Sequence, residues 1–127
     1  MPERLLPDQS APTQCENSLM AVGDALYAIG GKWKLRIIIA LSGARLRFNE
    51  LQRAIPGLSA RVLSNELKEL ELNGFVKRSV QTDPAILITY ELTPYSHTLK
   101  NVISALHDWG LMHRATIRAQ ASQARER

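Results

Sequence analysis

A proline–glycine pair near the middle of the chain constrains the fold more than any other feature. The residue before Pro56 is disfavoured in the α region, so the helix that precedes it must end near Ile55. Pro56 and Gly57 then make a turn, and Ser59 can cap a second helix that runs to Leu72. Two short helices joined by such a tight turn predict a helix-turn-helix.

The start of the first of these helices is indicated by a reciprocal capping pattern. Asn49 is followed three residues later by Gln52, and such a pair can satisfy free N–H groups at a helix start. We therefore predict that this helix begins at Asn49 and turns Leu51 and Ile55 inward.

Apolar residues at helical spacing predict further helices on both sides of this motif. On the N-terminal side they indicate one helix over residues 18–29, stopped by Gly30-Gly31, and a largely buried helix over residues 32–41. On the C-terminal side, Thr93 and Pro94 supply an N-cap and a first helical residue for a long final helix.

Two segments with an apolar period of two lie between the helix-turn-helix and the final helix. Residues 75–81 and 86–92 are separated by the breaker Thr82-Asp83-Pro84, which predicts a β-hairpin. A hairpin directly after a helix-turn-helix has the position of a wing. The predicted fold is therefore a winged helix-turn-helix, mainly α with a small β-hairpin (α+β).

The length of 127 residues and the hydrophobic content of 45% are typical of a single domain. Proline-rich polar sequence predicts a flexible N-terminal arm over residues 1–14. The winged helix-turn-helix domain, including a terminal dimerisation helix, is expected over residues 15–118. Residues 119–127 lack an apolar stripe and are expected to form a weakly ordered tail.

Positive charge is concentrated in the middle of the chain. The net charge is +4, but residues 30–82 hold ten Lys or Arg against four acids, which makes this segment +6 and the remainder −2. Such a distribution favours a polyanionic partner, and here it coincides with the helix-turn-helix.

The second helix of the motif has separate apolar and polar faces. At 100° per residue, Leu63, Leu67 and Leu70 form a core face, and the far side carries donors and cations without an acid. Arginine and asparagine can read guanine and adenine in a major groove, although a polar stripe on an isolated helix can also be merely solvated. The predicted DNA-binding residues of this helix and its start are Ser59, Ala60, Arg61, Ser64, Asn65 and Lys68.

Further DNA contacts are predicted on and near the hairpin. Cations of a wing can contact phosphate or enter the minor groove, and the alternative for Lys77 and Arg78 is a solubilising edge strand. The side chain of Asn49 is explained equally well by capping alone. The residues added to the predicted DNA surface are Arg47, Asn49, Lys77, Arg78, Gln81 and Thr82.

A series of short motifs from about Cys15 to Gly110 has a specific order and spacing. They are Gly30-Gly31-Lys32-Trp33-Lys34, Arg47-Phe48-Asn49-Glu50-Leu51, Ile55-Pro56-Gly57-Leu58-Ser59, Arg61-Val62-Leu63, Leu67-Lys68-Glu69-Leu70, Asn73-Gly74-Phe75-Val76, Tyr90-Glu91-Leu92-Thr93 and Asp108-Trp109. Together they strongly resemble the HxlR-type transcriptional regulators, which belong with the MarR-like winged helices. The resemblance implies homodimers whose terminal helices pack together and which bind inverted-repeat operators as repressors or activators.

The residues support a homodimer independently of the resemblance. The first and last helices hold more apolar surface than so small a domain can easily cover. The predicted dimer-interface residues are Leu19, Val22, Leu99, Val102, Ile103, Leu106 and Trp109.

The single cysteine is a candidate sensor through the same resemblance. Many members of this family carry a cysteine followed by proline just before the first helix, and in some of them that thiol senses electrophiles, aldehydes or oxidants. Cys15 matches the position, but Glu16 follows it instead of proline. An inert thiol and a small-molecule effector bound elsewhere are the alternatives.

Other functional classes find no support in the sequence. One cysteine allows no internal disulfide, and no apolar run of signal or membrane length is evident, so a cytoplasmic protein without a membrane partner is expected. The histidines lack the close helical spacing of a metal pair, and Gly30-Gly31-Lys32 lacks the spacing of a phosphate loop. We therefore expect no enzyme, metal or cofactor. The partners expected are double-stranded DNA, a second copy of the chain and an effector, and the rival function is a winged-helix module that binds a protein.

Overall fold

Helices make up most of residues 12–126, the part of the chain that the computed structural model describes, with side chains described from Cys15 onward. Three short strands form one small sheet. In chain order the elements are α1 (Pro12–Ile29), α2 (Lys34–Ala40), β1 (Leu46–Arg47), α3 (Phe48–Ala54), α4 (Ala60–Leu72), β2 (Val76–Gln81), β3 (Leu87–Leu92), a 3₁₀ helix (Pro94–Leu99) and α5 (Lys100–Glu126). This order confirms the predicted winged helix-turn-helix.

The core lies where α2, α3 and α4 meet, and it uses the apolar face predicted for α4. Leu63, Leu67 and Leu70 are all at most 1% exposed. Leu51 of α3 and Ile37 of α2 are fully buried beside them. Three leucines at helical spacing therefore hold α4 against the two preceding helices, since burying each contributes about 1.5–3 kcal/mol.

Both ends of α4 follow from identifiable local interactions. At its start the Ser59 hydroxyl accepts a hydrogen bond from the Val62 N–H at 3.2 Å, as the sequence predicted. At its end Gly74 takes a φ of +82°, in the left-handed region that favours glycine, and the Phe75 N–H donates to the Leu70 carbonyl at 3.0 Å.

The helix α3 begins one residue earlier than expected, and the predicted capping pair is wrong. Glu50 Oε1 accepts the hydrogen bond of the Arg47 backbone N–H at 2.8 Å, so the cap position belongs to Arg47. Asn49 instead lies exposed in the first turn of the helix. Gln52 donates to the Leu58 carbonyl at 3.3 Å and so bridges the turn to α4. The reason is the strand β1, which fixes Arg47 in extended backbone directly before the helix.

The sheet contains the predicted hairpin and one strand that the sequence did not indicate. The strand β2 pairs antiparallel with β3 from Val76↔Leu92 to Gln81↔Leu87, which confirms the hairpin. The strand β1 pairs with the other edge of β3, so the order is β1-β3-β2. Two residues in a basic connector are too few for a recognisable alternation, and the expected lone hairpin is therefore a three-stranded sheet.

The final helical segment begins after Thr93, as predicted, but its first six residues form a 3₁₀ helix. The Ser96 hydroxyl donates to the Thr93 carbonyl at 2.6 Å in that turn. The helix α5 then continues through Glu126, so residues 119–126 are helical where a weakly ordered tail was expected. Of the predicted N-terminal arm, residues 1–11 lie outside the described residues, and α1 begins at Pro12, six residues before the predicted start.

The helices α1 and α5 leave most of their surface uncovered. From Cys15 to Tyr27 every side chain of α1 except Ser18 is exposed, and in α5 every side chain except Ile103 is exposed. In the described range, no helix has the length and apolar character needed to span a membrane.

Candidate nucleic-acid interface

The surface of α4 opposite the buried leucines carries most of the residues predicted to read DNA. Arg61, Asn65 and Lys68 are exposed, and Ser64 is half-buried between them. At 100° per residue these four side chains lie within about 100° of one another around the helix. We call Arg61, Ser64, Asn65 and Lys68 the reading face.

The N-terminus of α4 presents backbone donors beside the reading face. Ser59 and Ala60 are both exposed, and the Ser59 hydroxyl engages the N–H of Val62. The N–H groups of residues 60 and 61 have no carbonyl within the helix to bind, because the first turn of any α-helix lacks such partners. A phosphate is the anion that such a helix start suits.

One flank of α4 is held by a contact that the sequence analysis missed. Lys34 Nζ at the start of α2 lies 3.0 Å from Glu66 Oε2 and 2.5 Å from Glu69 Oε2. The hydrogen bond that the Lys34 ammonium donates to Glu69 is the main cause that raises the pKa of Lys34 above its ordinary value of 10.5, so the ammonium is charged at neutral pH. The only sequence signal for this contact was the i, i+3 spacing of the two acids, which does not identify a partner on another helix.

The predicted wing residues divide between the two faces of the sheet. Successive residues of a strand point to opposite faces, so Lys77 and Arg78 cannot serve one surface together. The register places Lys77 opposite Glu91 and Arg78 opposite Tyr90. Arg47 is opposite Thr89 and therefore shares the face of Lys77. The structure thus places Arg47 and Lys77 on one face of the sheet, on either side of β3, and Arg78 on the other face.

The tip of the hairpin and the start of α3 hold the remaining predicted contacts. Gln81 and Thr82 are exposed at the tip, and the Gln81 side chain donates to the Asp83 carbonyl at 2.9 Å. Asn49 is exposed in the first turn of α3, two residues after Arg47. All three are accessible to a ligand, although the Gln81 amide already has one partner.

The residues predicted for dimerisation are mostly exposed within one protomer. On α1, Leu19 is 71% exposed and Val22 is 49% exposed. On α5, Val102, Leu106 and Trp109 expose two fifths or more of their surface. The exceptions are Leu99, which is buried in the protomer's own core, and Ile103, which packs against that core. These two have little apolar surface left for a partner.

The candidate sensor lies inside α1 rather than before it. Cys15 is exposed, and Leu19, Val22 and Leu26 follow it at successive intervals of four, three and four residues. These side chains therefore occupy one face of the helix, which is the a/d pattern of a helix that packs on another helix. A change at Cys15 would consequently occur on the apolar face of α1.

Two adjoining cavities open between α2 on one side and the 3₁₀ helix and first turns of α5 on the other. Their volumes are about 440 Å³ and 670 Å³. They share Ile39, Lys100 and Ile103, and Ile39 is 54% exposed although α2 was expected to be largely buried. Within residues 12–126 no group of three or more His, Cys, Asp or Glu has the arrangement of a metal site.

Known proteins resemble this chain over most of its length. The family described as HxlR-like helix-turn-helix matches residues 28–117. The HTH-type transcriptional regulator YtcD of Bacillus subtilis is 34% identical over 94 residues, which cover 74% of this chain and 75% of that protein.

Solved structures of regulators share the fold. The redox regulator HypR in its reduced form superposes with a TM-score of 0.72 at 32% identity, covering 78% of this chain and 98% of that one. Quinone-bound YodB from B. subtilis superposes with a TM-score of 0.61 at 30% identity, covering 73% of this chain and 98% of that one.

The family match includes α4, which carries the reading face, and the hairpin of β2 and β3, but it begins after Cys15. The family and these relatives are regulators of transcription, which confirms that the chain is not an enzyme. The chain therefore belongs to the HxlR-like helix-turn-helix family of transcriptional regulators.

Proposed function

We propose that this regulator is a homodimer that binds inverted-repeat operators through α4 and responds to a modification of Cys15. The observation that supports DNA reading most strongly is the composition of the reading face. It presents Arg61, Asn65 and Lys68 without an acid, while Glu66 and Glu69 of the same helix are engaged by Lys34. Bidentate arginine and asparagine contacts are the chemistry that separates base pairs in a major groove.

The sheet is proposed to contact the DNA backbone. Arg47 and Lys77 share one face, and the carboxylate of Glu91 on that face lies 3.8 Å from Arg45 Nε. Glu91, which lies opposite Lys77, is therefore already paired with Arg45. Phosphate contacts of this kind fix the orientation of a protein on a duplex without reading its sequence.

The homodimer is proposed from the uncovered faces of α1 and α5. Residues 15–29 of α1 carry Glu16 and Asp24 and no Lys or Arg, while Lys100, Arg114 and Arg118 lie along α5. An acidic amphipathic helix thus has a complementary surface on a second copy. Two recognition helices related by a twofold axis would enter successive major grooves about 34–36 Å apart.

DNA binding is tested by selecting duplexes from a random pool with the full chain. The selected duplex and a scrambled duplex are then titrated at two salt concentrations. We expect tight, sequence-preferring binding to a palindromic site, with affinity that falls as salt rises because counterions are displaced. An absence of binding to both duplexes would favour the protein-binding alternative, and equal weak binding to both would contradict sequence reading.

The substitution Lys77→Ala should weaken binding to the selected and scrambled duplexes by the same factor. Losing one phosphate contact per protomer should also reduce the slope of log affinity against log salt by about 0.9 per contact. Titration at four salt concentrations measures both effects. Arg125→Ala is the control, because it removes an equal charge near the far end of α5. A loss confined to the selected duplex would contradict a backbone role for Lys77.

The effector response is proposed to use the thiol of Cys15. Cys15 is exposed on the apolar face of α1, and two structural relatives are a redox regulator and a quinone-bound regulator. A substituent on that face would disturb helix packing between protomers and so the spacing of the two recognition helices. A small molecule in the cavities between α2 and α5 is the alternative.

The substitution Cys15→Ser should abolish the loss of DNA binding that benzoquinone or diamide causes in the unsubstituted protein. The chain has a single cysteine, so the substitution removes every thiol. Gel shifts with and without each reagent provide the measurement, and untreated Cys15→Ser should bind as the unsubstituted protein does. A response that persists in the variant would exclude a thiol mechanism and favour an effector that binds in the cavities.

A further inference from the structure

A lysine that is almost fully buried connects α2 to one flank of α4. Lys34 is 8% exposed as a residue, and its ammonium contacts both Glu66 and Glu69. The other ion pairs found in residues 12–126 join Arg45 to Glu91 and His107 to Asp108, and neither contains a side chain as buried as that of Lys34. Burial strengthens the attraction between opposite charges, and removing one partner of a buried pair is costly because the other charge loses its compensation.

Of the two acids, Glu69 lies beside the reading face and Glu66 lies farther round the same flank, next to the buried leucines. At 100° per residue, Glu69 is about 80° and Glu66 about 140° around the helix from Arg61. The third acid of α4, Glu71, is about 80° from Arg61 on the opposite flank. Lys34 therefore holds one flank of α4 only, which is where a contact can oppose rotation of the helix about its axis.

The buried leucines oppose rotation of α4 through packing alone, without a directional contact. Apolar burial is non-directional and tolerates small rotations of a helix, whereas bidentate base recognition requires the arginine and asparagine to enter the groove in a defined direction. A hydrogen-bonded ion pair on one flank supplies a directional contact that opposes this rotation of α4.

We propose that Lys34 is a positioning residue for DNA recognition, because its ion pairs with Glu66 and Glu69 set the rotation of α4 and hence the direction of Arg61 and Asn65. Lys34 itself does not contact DNA in this proposal. The inference rests on the proposed reading of DNA by α4, and it concerns the specificity of that reading rather than its total affinity.

The substitution Glu69→Gln tests this inference through the ratio of the affinities for the selected and scrambled duplexes. Removing an acid from a DNA-facing helix should strengthen binding to every duplex and leave this ratio unchanged if charge alone matters. If the ion pair positions α4, the ratio of affinities for the selected and scrambled duplexes should instead fall about threefold, since misdirected base contacts lose specificity. The Glu69 side chain is 56% exposed, so the variant should fold.

The substitution Lys34→Met removes the whole contact and should lower the same ratio at least about tenfold. Glu71→Gln and Lys32→Met are the controls, because each changes one charge nearby without touching the ion pair. Both should leave the ratio within about twofold of the unsubstituted value, since only nonspecific attraction changes. Thermal melts of every variant establish that the protein is folded.

The outcomes separate this inference from the proposed function. If the unsubstituted protein does not distinguish the two duplexes, the proposed function fails. If it does distinguish them, and folded Glu69→Gln and Lys34→Met keep the same ratio as Glu71→Gln, Lys34 has only a structural role and the inference is overturned. A lowered ratio in both variants, with unchanged controls, supports it.

Discussion

Replacing Arg61 by alanine should cost about 1–3 kcal/mol of operator binding in each half-site, because a bidentate contact to a base edge is lost. The loss should double on a palindromic operator, since each protomer contributes one Arg61. Arg61 is exposed near the start of α4, where a recognition helix reaches deepest into the groove. Titration of the selected duplex with the folded variant measures the effect, and binding to scrambled DNA should change far less.

The matched control for this variant is Arg53→Ala. Arg53 is an exposed basic residue in the last turn of α3, outside the reading face. It has the same charge and a similar accessibility, so any purely electrostatic effect should be equal in the two variants. Equal losses for both variants on both duplexes would contradict base reading by Arg61.

Introducing aspartate at Leu106 should dissociate the proposed dimer and reduce operator affinity by two orders of magnitude or more. Leu106 is 50% exposed on the apolar stripe of α5 with Val102 and Trp109. A carboxylate buried there without a partner would cost several kcal/mol in each of two symmetric positions. Sedimentation at micromolar concentration should show a monomer, and a single half-site should be bound about as well as before.

The control for dimer disruption is on the same helix. Leu111 lies about 140° around α5 from Leu106 and is similarly exposed, so Leu111→Asp adds the same charge away from the stripe. This variant should remain dimeric and should bind the operator normally. A dimer that survives Leu106→Asp would show that α5 does not use this stripe.

The elements that sequence reasoning identified correctly are those whose determinants are local. Pro56-Gly57 defined the turn, Ser59 the start of α4, and Leu63, Leu67 and Leu70 its buried face. In each case the cause is a fixed φ, a side-chain hydrogen bond to a nearby N–H, or a helical period, all of which act within a few residues.

The expectations that failed depended on contacts between distant segments. The start of α3 was misplaced because Arg47 is held by pairing of β1 with β3, forty residues away in sequence, and nothing in the two residues of β1 indicates that pairing. The sequence predicted DNA contacts for both Lys77 and Arg78 without indicating their faces, and only the register with β3 shows that they point to opposite sides of the sheet.

The candidate DNA surface divides in the same way. Helical periodicity alone brought Arg61, Ser64, Asn65 and Lys68 together on one face, because residues on a helix have fixed relative directions. Helical periodicity could not identify the partner of Glu66 and Glu69, since Lys34 is more than thirty residues away and reaches them only when α2 packs against α4. The sequence by itself determined which residues α4 presents to solvent. The tertiary structure decided how α4 is held, because that depends on groups that only folding brings within hydrogen-bond distance.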